Sequence, residues 1–313
     1  MTIESDCIFD NLPNFRPVVD EECKKRYNIV NNAIYRSSRT DWVTQSDVDR
    51  LLNHYNIKTI LDIRSAKEYQ RANGSKLLHS AFNIVPFYPD TLGKYEGSLY
   101  SMLIHKPKNT LQYNVNVRNR FLIDFFTSEV ILTNFFRVSI GLRLFSLLLL
   151  LIDKLFHTNF FMKTFAFFLF NDRGLLNQYI DMVEHCKPAI AACMKLINRQ
   201  ELYPMLIHCA HGKDRTGIIV ALLLACCGVD DETLVNEYAR SEAGLNPIKK
   251  RVYAEICTTL GLKHTFTHAN SETMRNLLGY IHKKYGSVRK YLESTGFSYE
   301  EQDQLKSNLM LKS

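Results

Sequence analysis

Short apolar runs bounded by polar, glycine or proline residues occur at 33–36, 58–63, 82–87 and 205–209, the pattern of strands buried on both faces. Between them the apolar positions recur every three or four residues. In 175–198, Leu176, Ile180, Val183, Ile190, Cys193 and Ile197 form one helical stripe, which Pro188 should kink or break. Residues 216–227 read as a further helix, as do 230–240, 247–260, 271–284 and 287–294. Thr44 with Asp47 can start a helix running to about Tyr55, Ser65 can cap 66–71, and Ser298 with Glu301 has the spacing of a capping box. Strands alternating with helices predict an α/β domain, with a central, mainly parallel sheet covered by helices on both faces.

One stretch breaks the alternation. Residues 121–170 are dense in Leu, Ile and Phe, yet Arg137, Arg143, Asp153, Lys154 and Lys163 interrupt every window long enough to cross a bilayer. The longest uncharged run there is 144–152. Three readings remain: a helical lid packed on the domain, a hairpin lying in a membrane interface, and a true span. The expected organisation is a flexible N-terminus at 1–12, a catalytic domain made of 13–96 and 171–313, and a hydrophobic insertion at 97–170. Residues 106–170 hold eight Lys or Arg against three Asp or Glu, a net +5 of the chain's +7, so the positive excess travels with the apolar segment. That coincidence favours an anionic membrane surface as a partner.

Composition sets wider bounds. A chain of 313 residues, 46% of them hydrophobic, can bury a large core. No zinc-ligand spacing, RNA-stacking motif or long basic run points to nucleic acid. Eight cysteines show no disulfide framework, and the N-terminus has no apolar core of the signal-peptide kind, so a reducing, cytoplasmic setting is expected, with the membrane contact peripheral.

The chemistry concentrates at 208–217. His208 and Cys209 end an apolar run, Arg215 follows the cysteine after five intervening residues, and the helix-like run begins at Thr216. A loop between strand and helix N-terminus can aim several backbone N–H groups at one anion, so Ala210, His211, Gly212 and Lys213 are candidate phosphate contacts. Arg215 can add a planar fork to two phosphate oxygens. The same positive field favours the thiolate of Cys209, the candidate nucleophile, and the Thr216 hydroxyl could donate to the sulfur as it leaves. His208 is expected to fix the loop by hydrogen bonds. No metal or cofactor is needed for this chemistry.

With these residues in place, the loop resembles the nucleophile loop of the atypical tyrosine phosphatases, type 3, whose mark is the Lys213-Asp214 pair before the arginine. Asn14-Phe15-Arg16, Tyr35-Arg36-Ser37-Ser38, Leu61-Asp62-Ile63-Arg64-Ser65 and Val85-Pro86-Phe87-Tyr88-Pro89-Asp90 are similar to further motifs of that family, as are 237–241 and 285–292. The likeness covers about 13–90 and 174–313. Pro17 stands where the family carries aspartate. The resemblance implies a cysteine-phosphatase fold acting on phosphotyrosine or phosphoserine proteins, on phosphoinositides, or on both.

Protonating the leaving oxygen requires an acid within hydrogen-bond reach, and the candidates are Asp90, on a loop after the strand at 82–87, and Asp214, which adjoins Arg215. Asp62, at a strand end, is expected to cap or to pair with Arg64 or Arg36. Lys213 would add charge for substrates with more than one phosphate. The rival from another class is a catalytically silent module that keeps the loop as an anion cradle. A sulfur-transfer enzyme is weaker, because such loops lack the run from Lys213 to Gly217.

Overall fold

The structure, a computed structural model, describes residues 9–75, 77–87, 113–125, 128–156, 158 and 160–311. Its strands are β1 (Arg16–Pro17), β2 (Ile34–Ser37), β3 (Thr59–Asp62), β4 (Asn83–Phe87), β5 (Asn119–Ile123) and β6 (Met205–His208). They form one sheet in the order β1-β2-β6-β3-β5-β4, parallel throughout except for the short β1.

Helices α1 (Glu21–Tyr27), α2 (Gln45–Asp49) and α3 (Ala66–Arg71) lie among the first strands. Then come α4 (Ser128–Arg137), α5 (Ile140–Phe156), α6 (Phe160–Phe170), α7 (Gly174–His185) and α8 (Lys187–Ile197). The rest of the chain is α9 (Asp214–Cys226), α10 (Asp231–Gly244), α11 (Lys249–Tyr253), α12 (Ser271–Tyr285), α13 (Val288–Thr295) and α14 (Tyr299–Leu309). The capping boxes at Thr44/Asp47, Ser65/Glu68 and Ser298/Glu301 all form, since each hydroxyl accepts the N3 amide while the carboxylate returns to the cap amide. Pro188 sits in the first turn of α8, where its missing N–H costs nothing, so the stripe predicted at 175–198 is two helices rather than one kinked helix. Likewise the run at 247–260 breaks into α11 and a π-helical turn over Ala254–Thr259.

Strand residues alternate between two cores, as a sheet buried on both faces requires. Ile34, Leu61, Met205 and Ile207 join the larger core with α7 to α9 and α12 to α14, whereas Tyr35, Ile60 and Leu206 join a smaller one with Leu12, Val48 and Leu51.

Two expected boundaries change. Leu12 is buried and Phe9 stacks near Phe15 and Tyr55, so among the described residues the N-terminal segment packs from Phe9 onward. β5 lies inside the stretch assigned to the insertion, but it pairs with β3 on one side and β4 on the other, so 119–123 belongs to the body of the domain. The inserted helices begin only at α4. There α5 buries a narrow stripe, including Ser146 and Leu149, and leaves the rest of its apolar surface outside.

Candidate active site

The parallel strands β2, β6 and β3 end together, with Ser37 and Asp62 both in register with His208. Ligand crevices in open α/β sheets form at such strand ends. Cys209 follows directly and is nearly buried, and the chain loops through Ala210 to Lys213 before α9 opens at Asp214.

Residues distant in sequence hold the loop from behind. The Asn14 amide donates to the carbonyls of Gly212 (2.9 Å) and His211 (3.4 Å), and Arg36 also donates to the Gly212 carbonyl (2.6 Å). In a planar trans peptide the N–H points opposite to the C=O. Tying these carbonyls back therefore turns the Gly212 and Lys213 amides toward the opposite side. Gly212 has φ of +63°, and a Cβ there would lie 1.9 Å from the Ser37 carbonyl oxygen, so both conformation and space demand glycine. Arg16 and Arg36 share Glu237, whose carboxyl burial alone would raise but which the two guanidiniums hold below the ordinary range.

Arg215 is gripped end-on. Its two terminal nitrogens donate to the two carboxylate oxygens of Glu68 at 2.8 Å each, and one also reaches the Ile63 carbonyl at 3.2 Å. Burial opposes the charge on both partners, yet the pairing outweighs it, raising the guanidinium's proton affinity and pulling the Glu68 carboxyl down to about 2. Glu68 was missed in the sequence, because its role here depends on a partner 147 positions away. Beneath the loop, Arg64 bridges Asp62 (2.8 Å) and Asp41 (2.6 Å), so Asp62 is the partner of an arginine, as its strand-end position suggested.

Several site candidates face elsewhere than a substrate. Lys213 is fully buried and its ammonium donates to the carbonyls of Phe266 (2.7 Å) and His268 (2.9 Å), with Asp214 at 3.3 Å. It braces the loop against 266–268 and is not placed to meet a second phosphate. His208 is also fully buried, donating from Nδ1 to the Cys209 carbonyl (3.0 Å). Burial holds its imidazole down to about 4 despite Asp62 at 3.5 Å, so it shapes the loop as a neutral ring. His211 turns to Glu255 (2.8 Å), which also binds Arg39, and the Arg39 amide in turn reaches the Ala210 carbonyl (3.1 Å). Trp42 lies between the guanidiniums of Arg39 and Arg251, at 4.1 and 4.2 Å, giving the loop a cationic and aromatic flank.

Asp214 is oriented by the Tyr179 hydroxyl (2.5 Å), itself in contact with the Tyr238 hydroxyl (2.8 Å). Burial favours the acid form, but Lys213 and Tyr179 together leave this carboxyl below the ordinary range. The Thr216 hydroxyl is buried without a hydrogen-bond partner. Asp90 lies outside the described residues.

A family model described as the tyrosine phosphatase family matches residues 8–138 and 155–311. The chain belongs to that family. A tyrosine-protein phosphatase of Nostoc commune is 31% identical over 139 residues, which is 42% of this chain and 47% of the relative. The triple specificity protein phosphatase PtpB of Mycobacterium tuberculosis is 30% identical over 121 residues, 34% of this chain and 44% of that protein. The chain thus spans a little under half the length of either relative. This member of the tyrosine phosphatase family also carries 139–154, which the family model leaves unmatched and which form nearly all of α5.

Proposed function

We propose that the protein hydrolyses phosphomonoesters through a phosphocysteine, with phosphotyrosine or phosphoserine proteins, phosphoinositides, or both as substrates. The observation that carries this reading is the loop itself: Cys209 at a strand end, amides turned by Asn14 and Arg36, and Arg215 fixed by Glu68. The Cys209 sulfur attacks phosphorus, the S–P bond forms, and the P–O bond to the leaving group breaks as an acid protonates that oxygen. Water then displaces the sulfur, giving its proton to the conjugate base, and inorganic phosphate leaves. Arg215 and the amides stabilise the charge on the equatorial oxygens in both steps. Thr216, with its unpartnered hydroxyl, can donate to the departing thiolate.

Asp214 is the acid this geometry supports, since it adjoins Arg215 and is oriented by Tyr179. It is held ionised in the free protein, and a dianionic phosphate beside it would raise its proton affinity.

The test is phosphate release by wild-type, Cys209→Ser and Arg215→Ala proteins on phosphotyrosine peptides, phosphoserine peptides and phosphoinositide liposomes. Cys209→Ser should abolish turnover and keep binding, and Arg215→Ala should lose both. Full activity in Cys209→Ser would overturn the mechanism. Binding without release by the wild type would make the loop an anion cradle.

A further inference from the structure

The α5–α6 hairpin wears its apolar surface outward. Along α5, Ile140, Leu144, Leu147, Leu148, Leu151 and Leu155 fall at helical spacing on one face, and every one is between 51 and 70% exposed. Phe156 and Phe160 flank the turn, and Phe167 and Phe168 continue the exposed surface on α6. An amphipathic helix of a water-facing domain shows the reverse arrangement.

The hairpin is nonetheless well built. Asp153 accepts from the amides of Phe160 (2.8 Å) and Phe161 (3.0 Å), capping α6 and fixing the turn. Its base is anchored by Arg137 and Arg173 on Asp181, by Asn171 on Gly261 (2.9 Å), and by a small apolar cluster around Val138 and Leu169. The outward stripe is therefore a fixed surface, added where the family model has nothing to match.

We propose that this hairpin seats its outer face in the headgroup–acyl boundary of an anionic bilayer. Charge selects this occupant. Lys154 is exposed along one shoulder of the α5 stripe, three turns beyond Arg143, whose half-exposed guanidinium also holds the Val138 and Phe136 carbonyls, and Lys163 is exposed on α6. Neither the stripe nor this shoulder carries an acid, because Asp153 is turned to the start of α6. Anionic headgroups complement that arrangement. An antiparallel twofold pairing of two copies along α5 would instead set the same cations against each other. A lengthwise crossing is unsuited, since among the described residues no helix is long and apolar enough to span a membrane.

The experiment uses the full chain with Cys209→Ser, so that binding is read without turnover and its failure is separate from failure of the phosphatase reading. Cosedimentation with phosphatidylcholine vesicles, with and without phosphatidylserine, should show partitioning favouring the anionic vesicles by about tenfold or more. The triple variant Leu144→Gln, Leu148→Gln, Leu151→Gln should lose about tenfold or more in partitioning while melting close to its parent, because each of these side chains is more than half exposed. Lys154→Glu with Lys163→Glu should lower binding to anionic vesicles alone. Absence of vesicle binding, or binding indifferent to the triple variant, would overturn the proposal. A vesicle-indifferent dimer that the triple variant dissolves would assign the face to a second copy.

Discussion

Glu68→Gln tests whether Arg215 owes its position to a partner outside the loop. The substitution keeps size but removes the charge and replaces one oxygen by an NH2 that faces donors on Arg215 or on the Ser65 amide. The carboxyl is drawn from 4.5 to about 2 in the folded protein, a difference that would correspond to about 3.4 kcal/mol if fully realised. A third of the Glu68 side chain reaches solvent, so screening reduces this to about 1.5–2 kcal/mol. Because the folded-state value is depressed, the stabilisation is complete above 4.5 and disappears as pH falls toward 2. Urea unfolding of wild type and variant should therefore differ by about 1.5–2 kcal/mol at pH 7 and by less than half that near pH 3. A guanidinium freed from its clamp should also lower kcat/KM on a soluble aryl phosphate by about 10–100-fold. Unchanged stability and kcat/KM at pH 7, or a stability gap that does not shrink on acidification, would refute the reasoning.

Two further substitutions separate roles that sequence alone confounds. Lys213→Met leaves the carbonyls of Phe266 and His268 without their buried donor, so urea unfolding should show a loss of about 2 kcal/mol or more. Selective loss on multiply phosphorylated substrates at unaltered stability would return Lys213 to a substrate role. Asp214→Asn should slow hydrolysis of alkyl phosphates by about 10²-fold or more, and aryl phosphates with good leaving groups much less. If Asp90→Asn produces that pattern and Asp214→Asn does not, the acid is Asp90.

Features encoded within a few residues of each other were legible in the chain. The continuous apolar runs marked β2, β3, β4 and β6, and the three capping boxes formed because hydroxyl and carboxylate need only a three-residue spacing. The nucleophile loop announced itself in the same way, as an anion cradle depends on the local sequence of strand end, glycine, arginine and helix start. β5 escaped notice because it opens with Asn119 and Arg120, both buried, and partners distant in sequence meet them only in the fold: the Asn83 amide donates to Asn119, and Arg120 donates to Thr40. Sheet register places that strand between β3 and β4, and no local pattern contains register.

Tertiary structure decided the pairing of charges. Several arginines and acids could have met near the loop; packing put Glu68 on Arg215, Asp41 and Asp62 on Arg64, and Glu237 between Arg16 and Arg36. The sequence could not tell a lysine that meets phosphate from one that braces a loop, since that turns on carbonyls some 53 positions away. It did establish that the middle of the chain is apolar and basic. Which side of α5 would be covered depended on how much neighbouring surface the domain offers, and it offers only enough for one stripe.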